Sequence, residues 1–348
     1  MSKKKTKNSK ETSEIRSKFT PDVPLLLKDL GVSVAVTTYQ AGKLFLLRST
    51  GSRLNAHFRS FLRPMGLCVD KNHIHMGDLY SIIKFHNIPG ACNALESPIP
   101  LDACYLPRNI HITGKIDIHE METDSEGNLW FVNTLYSTLC KLDYEHSFVP
   151  VWRPDFVTEM VAEDRCHLNG LCMIDGRPKY MTALGRSDMK GGWRENKRNG
   201  GILIDIETDE IVFEGLSMPH SPRWYRGKLW VLESGEGSLA TLDLERKEVT
   251  TVAQLPGFVR GLDFVGNLAF IGLSKIRDSA FSGLPIVERI EEPLCGVWVV
   301  DIDTGETVGH VEFVSGVAEV FGVKAVPALF PEVRELFEPL QQNSITVP

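Results

Sequence analysis

Three histidines stand at matching points of a chain that returns on itself about every fifty residues. His119 opens HEMETD (119–124), His167 opens HLNGLCMID (167–175) and His220 lies in PHSPRWY (219–225), 48 and 53 residues apart. Neutral imidazole is a common ligand of zinc, iron, copper and nickel, and a carboxylate often completes such a set. Glu120, next to His119, and Glu319, near the last repeat, are the carboxylates that would complete this one. Three protein ligands and one open position turn bound water into a nucleophile near neutral pH. The spacing therefore predicts a divalent or transition metal, zinc, iron or another, held by His119, His167 and His220. Glu120 or Glu319 would be a further ligand or general base, with Arg260 and Asn169 contacting substrate. Arg260 suits a substrate carboxylate or a developing oxyanion. The same imidazoles would serve a metal-free acid–base site, and a purely structural role is the third alternative.

The elements that must position them are short strands. Each histidine precedes a hairpin pattern: GNLWFVNTLYSTLCKLD (127–143), RPKYMTALG (177–185) and GKLWVLESGEGSLATLD (227–243). A period near fifty with several short strands per repeat is the pattern of a β-propeller, whose innermost strands converge on a central channel. Residues a hundred positions apart then face one another. Six inner-strand starts are read at 63–70, 119–124, 167–175, 220–225, 260–266 and 315–323, marked by Met65, His119, His167, His220, Arg260 and Glu319.

The fold class is thus all-β, a six-bladed β-propeller. It is expected to close by pairing SGVAEVFGV (315–323) with the N-terminal strands at 32–58, which removes an exposed sheet edge. Seven blades is the alternative, because 86–116 and 275–295 read poorly. Residues 1–20 are expected as a disordered polar tail, 21–330 as one propeller domain, and 331–348 as a short helix and tail, with another short helix at 21–30. Register is the delicate point. Aligning the hairpins sets His220 opposite Glu120, whereas aligning GLCVD (66–70) with GLCMID (170–175) sets Asn169 beside Met65. Neighbours on a strand point to opposite faces, so one residue decides which side chain sees the channel.

Hydrophobic residues make up 43% of the 348 and charged residues 24%, an ordinary globular composition. A net charge of −7 argues against nucleic acid as partner, and no apolar run is long enough for a bilayer. The lysine-rich start has no apolar core behind it, and the seven cysteines form no CxxC pair. Both points lead to an expected cytoplasmic, reducing location. There is no GxSxG, GxxxxGK[ST] or HExxH. Asp124, Asp143, Asp243 and Asp301 recur at strand ends and read as turn formers. Trp130, Trp230 and Trp298 read as packing between blades, and His73 with His75 as a structural pair. The long segments 186–201 and 275–293 would form a lid if they share the histidines' face.

HLNGLCMIDG, the GGW of 191–193 and MPHSPRWYRGKLWVLESGEG resemble a family of bacterial propeller proteins known only as a conserved domain of unknown function. The resemblance spans about residues 25 to 335 and implies the fold, with no activity attached. More distantly, the blades are similar to gluconolactonase and regucalcin-type propellers, which hold a divalent cation through Glu, Asn and Asp; histidines stand here instead. The expected function is a metal-dependent hydrolase or lyase acting on a small oxygenated substrate at the channel mouth. The alternative is a non-catalytic scaffold that presents its rim to protein partners.

Overall fold

In the computed structural model, which describes residues 14–275 and 283–336, six small sheets stand in a ring. Blade 1 combines Ser33–Thr38, Lys43–Ser49 and Leu54–Ser60 with an inner strand from the other end of the chain, Val323–Val326. Blade 2 runs through Leu67–Val69, His73–Gly77, Ser81–Asn87 and Ala103–Ile112. Blade 3 is Ile118–Thr123, Leu129–Asn133, Thr138–Asp143 and Ser147–Trp152. Blade 4 is Leu168–Ile174, Arg177–Ala183, Gly201–Asp205 and Ile211–Leu216. Blade 5 is Pro219–Tyr225, Lys228–Glu233, Ser238–Asp243 and Glu248–Gln254. Blade 6 is Phe258–Val265, Leu268–Ser274, Gly296–Asp301 and Thr307–Ser315.

Alternating apolar residues on each strand fill the spaces between neighbouring blades. Trp230 and Trp298 pack with Leu232, Val259 and Ile271 between blades 5 and 6, as expected of inter-blade tryptophans. The strand-end aspartates accept turn amides, for example Asp243 Oδ1 from Glu245 N at 3.0 Å and Arg246 N at 2.9 Å. A second device laces blade to blade near the channel. Hydroxyls of Thr37, Thr134, Ser234 and Ser274 donate to the carbonyls of Met65, Leu168, Val259 and Val320, all in the next blade round, at 2.6–3.0 Å.

Closure joins the two ends of the chain, with three corrections to the expected boundaries. The closing strand is Val323–Val326, and 315–322 only leads into it. Within the expected tail, Arg16–Phe19 forms a fifth strand on the outer edge of blade 6, and residues 1–13 lie outside the described residues. Pro331–Val333 is a strand, not the start of a helix, and pairs parallel with Ala103–Tyr105. Glu332 explains the preference. Its buried carboxylate takes His57 Nε2 at 2.8 Å, Arg59 Nη2 at 2.7 Å and Arg48 Nη1 at 3.3 Å, which pins this segment across blades 1 and 2. The helix Val23–Leu30 forms as expected, ends at the left-handed Gly31, and buries Val23 and Leu27 against blades 1 and 6. No described helix is long and apolar enough to cross a membrane.

Candidate functional site

The strand pairings set the six inner strands in one register. Glu122 lies opposite Trp130, Cys172 opposite Tyr180, Arg223 opposite Trp230 and Asp263 opposite Phe270. Cys68 opposite His75 and Lys324 opposite Ala35 complete that ring. Three residues earlier, towards the mouth, stand Met65, His119, Asn169, His220, Arg260 and Phe321. Between the two rings comes a layer of Gly66, Glu120, Gly170, Ser221, Gly261 and Gly322. The glycines are there because the strands converge: a Cβ on Gly66 would come within 2.2 Å of the His119 carbonyl.

The mouth holds a cavity of about 260 Å³. His119 and His220 line it with matching environments. His119 Nδ1 lies 3.0 Å from the Asp117 carbonyl and 2.6 Å from the Thr134 hydroxyl. His220 Nδ1 lies 3.0 Å from the Met218 carbonyl and 2.8 Å from the Ser234 hydroxyl. Each hydroxyl spends its one proton on a carbonyl of the next blade, so it must accept from the imidazole. Nδ1 therefore carries the proton in both rings, and Nε2 is left with its lone pair. Burial, with the Arg260 charge adding to it, holds both imidazoles well below their ordinary pKa, so they are neutral. His119 Nε2 is buried without a hydrogen-bond partner among the described residues, as is Asp117 Oδ1 in the same wall.

His167 sits differently. Its Nδ1 is 2.9 Å from Asp164 Oδ1, and its ring lies 5.0 Å from His119 and 4.6 Å from Trp193. Trp193 Nε1 donates to Asp164 Oδ2 at 3.0 Å and Arg194 reaches the same oxygen at 3.3 Å. Trp193 and Arg194 belong to the 186–201 loop, which thus covers the cavity as a lid would, through a short 3-10 turn at Gly192–Asn196. Of 275–293, residues 276–282 lie outside the described residues; Leu284 and Ile286 pack against Leu184, Met218 and Phe258 beside Trp193. Arg260 completes the wall. Its guanidinium lies 3.7 Å from the centroid of Phe321 and forms no ion pair among the described residues. Burial pulls its pKa down to about 9, so it keeps its charge at neutral pH.

Below the cavity is a chamber of about 20 Å³, room for about one water, lined by Glu120, Asn169, Ser221, Gly66, Gly261 and Gly322. The channel under it is filled by ion pairs. Arg223 Nη2 is 2.5 Å from Glu120 and 3.5 Å from Glu122, Lys324 pairs with Glu122, and Asp263 accepts the Ala325 amide at 2.8 Å.

A family model described as a domain of unknown function (DUF4915) matches residues 21–333. The chain belongs to that family. No curated protein matches this DUF4915 chain. Among solved structures it is similar to a chain in a crystal structure of a nidogen/laminin complex, with a TM-score of 0.57 and 11% identity over 85% of this chain and 98% of that one. It is also similar to a protein of unknown function from Bacteroides caccae, with a TM-score of 0.53 and 10% identity over the same shares. At such identities the likeness shows the fold alone. Similarity to gluconolactonase-type propellers is not shown by these comparisons.

The DUF4915 site regroups the residues expected from sequence. His119, His167, His220 and Arg260 come together at the cavity. Among the described residues no group of three or more His, Cys, Asp or Glu is placed to hold a metal ion. His167 is not the blade 4 counterpart of His119 and His220. That position is Asn169, whose Oδ1 accepts from Thr182 and whose Nδ2 donates to the Pro219 carbonyl, so it braces blade 4 against blade 5. His167 matches Asp117 and Met218, two residues upstream, and all three are left-handed at φ 50–53°. Glu120 lines the lower chamber and is paired with Arg223. Glu319, two residues before Phe321, is buried and lines neither space. Sequence reading missed Asp117, Asp164, Trp193 and Arg63. Asp164, three residues before His167, was the one carrying a spacing signal.

Proposed function

We propose that the mouth cavity binds a small organic acid and moves a proton on it without a metal. The observation that carries this reading is that an arginine with no carboxylate partner among the described residues shares one cavity with an Asp–His pair. Arg260 would take the ligand carboxylate as a charge-assisted bond in a poorly solvated place. The Nε2 atom of His220 accepts a hydrogen bond from a ligand hydroxyl. His167 is the base: Asp164 holds its Nδ1 proton, orients the ring and stabilises the imidazolium formed when Nε2 accepts a proton. Trp193 and Arg194 keep Asp164 in place and shed water from the site. The reaction class is lyase or isomerase, with proton transfer next to a carboxylate.

Thermal-shift and calorimetric screening of small hydroxy- and keto-acids tests it. Binding lost in Arg260→Ala, with binding kept but turnover lost in His167→Asn, is expected. Binding without turnover in any condition would leave a non-catalytic binding module. A stoichiometric transition metal in purified protein, lost in His167→Ala, would restore the metal-dependent hydrolase or lyase reading.

A further inference from the structure

We infer that the ligand of this cavity is a hydroxylated dicarboxylate, bound at one end by Arg260 and at the other by Arg63. The inference rests on the reading of the cavity as an organic-acid site and adds what the acid must carry.

Three guanidiniums line the cavity: Arg63, Arg194 and Arg260. Arg194 is already engaged, 4.2 Å from the Trp193 ring and bonded to Asp164. The other two have no ion pair among the described residues, and each is seated on an aromatic ring instead. Arg260 lies over Phe321 at 3.7 Å and Arg63 over Tyr39 at 5.7 Å, and the two rings meet edge to face at 5.8 Å. An aromatic face compensates a cation only partly and leaves the N–H fork open for a carboxylate. Arg63 occupies the same blade position as Asp117, His167 and Met218, and shares their left-handed backbone with φ 54°. Two such forks on neighbouring rings fit two separate carboxylates better than one compact anion.

The opposite requirement comes from the same wall. Asp117 and His220 line the same cavity, and Asp117 Oδ1 and His119 Nε2 have no donor among the described residues, which makes this wall rich in acceptors. Asp117 repels a third anionic group but accepts a hydroxyl. The ligand is therefore anionic at its ends and carries an O–H donor between them.

The test is calorimetry with L-malate, succinate, L-lactate and glycerol 3-phosphate on the intact chain. Malate should bind at least about tenfold tighter than lactate, the worth of one charge-assisted pair, and succinate should fall between them. Arg63→Gln should bring malate down to the level of lactate and leave lactate unchanged, with Arg63→Lys intermediate and both variants melting like the parent. Arg260→Ala should lose every acid. Lactate binding as well as malate, equal weakening of both by Arg63→Gln, or glycerol 3-phosphate binding tightest would each overturn the dicarboxylate while leaving the organic-acid reading standing. If no acid of the set binds, the organic-acid reading falls, and this inference with it.

Discussion

The mouth ring and the ring three residues below it use the same six strands but handle charge in opposite ways. Below, Arg223 sits between Glu120 and Glu122, and those carboxylates hold its pKa above the ordinary arginine value despite burial. Lys324 is raised for the same reason, by Glu122 against its own desolvation. In the mouth, Arg260 is as enclosed but lacks a carboxylate in contact among the described residues, and burial wins, pulling it to about 9. A buried charge is tolerable when paired and expensive when open. The paired ring closes the channel; the open one is where a ligand has something to supply.

The comparison can be broken by mutation. Arg223→Ala strands Glu120 and leaves Glu122 only Lys324, so chemical denaturation should show a loss of about 3–5 kcal/mol. Arg260→Ala removes an unpaired buried cation, so stability should hold or rise rather than fall. Comparable losses would mean that the two rings do not differ as described.

Acid sharpens the contrast. His119 and His220 are held neutral in the folded chain but titrate near their ordinary value of 6.5 when unfolded. Below that pH the unfolded state takes up protons that the folded state refuses. Stability should therefore fall with decreasing pH by up to about 1.4 kcal/mol per pH unit for each ring. The His119→Gln, His220→Gln double variant should flatten that slope in pH-dependent melts.

Glu319 should act with the opposite sign. Burial raises its carboxyl from 4.5 to about 7, so the folded state keeps a proton that the unfolded state has released. Its contribution is present below pH 4.5 and is lost as pH rises towards 7, at no more than about 1.4 kcal/mol per pH unit. Glu319→Gln should remove this decline, and an unchanged profile would contradict the shift.

The smallest effect concerns the lid. Trp193→Phe keeps the ring on His167 and deletes one hydrogen bond to Asp164, a loss of about 1 kcal/mol. Ligand affinity should drop severalfold and proteolysis within 186–201 should quicken, with the melting temperature little changed.

Much of the fold could be read from the chain because its signals are local. Strand alternation, the aspartate turns and the fifty-residue return all sit within a few residues or one repeat. The site was only half legible, and the reason can be named. From Glu122 to its partner Trp130 is eight positions, but from Arg223 to Trp230 only seven. The first turn is one residue longer, and aligning hairpins therefore misplaced His220 against Glu120. Aligning GLCVD with GLCMID avoids the turn, and it correctly set Asn169 beside Met65. His167 shares a residue type with the ring members His119 and His220 but lies two residues upstream of their position, so residue type and repeat spacing alone promote it into the ring.

What the sequence alone determined is the all-β repeat, five of its six inner strands and the union of the two chain ends. Those follow from side-chain periodicity and from the need to pair every sheet edge. What only the tertiary structure decided is which neighbour faces the channel, which nitrogen of each imidazole is free and which charges are left unpaired. A register shift between Phe131 and Asn133, or between His220 and Arg223, leaves no mark in composition yet moves a side chain to the other face. The lone pair on His119 Nε2 is decided by a threonine fifteen residues away and a carbonyl in the next blade. Such facts exist only once the ring has closed.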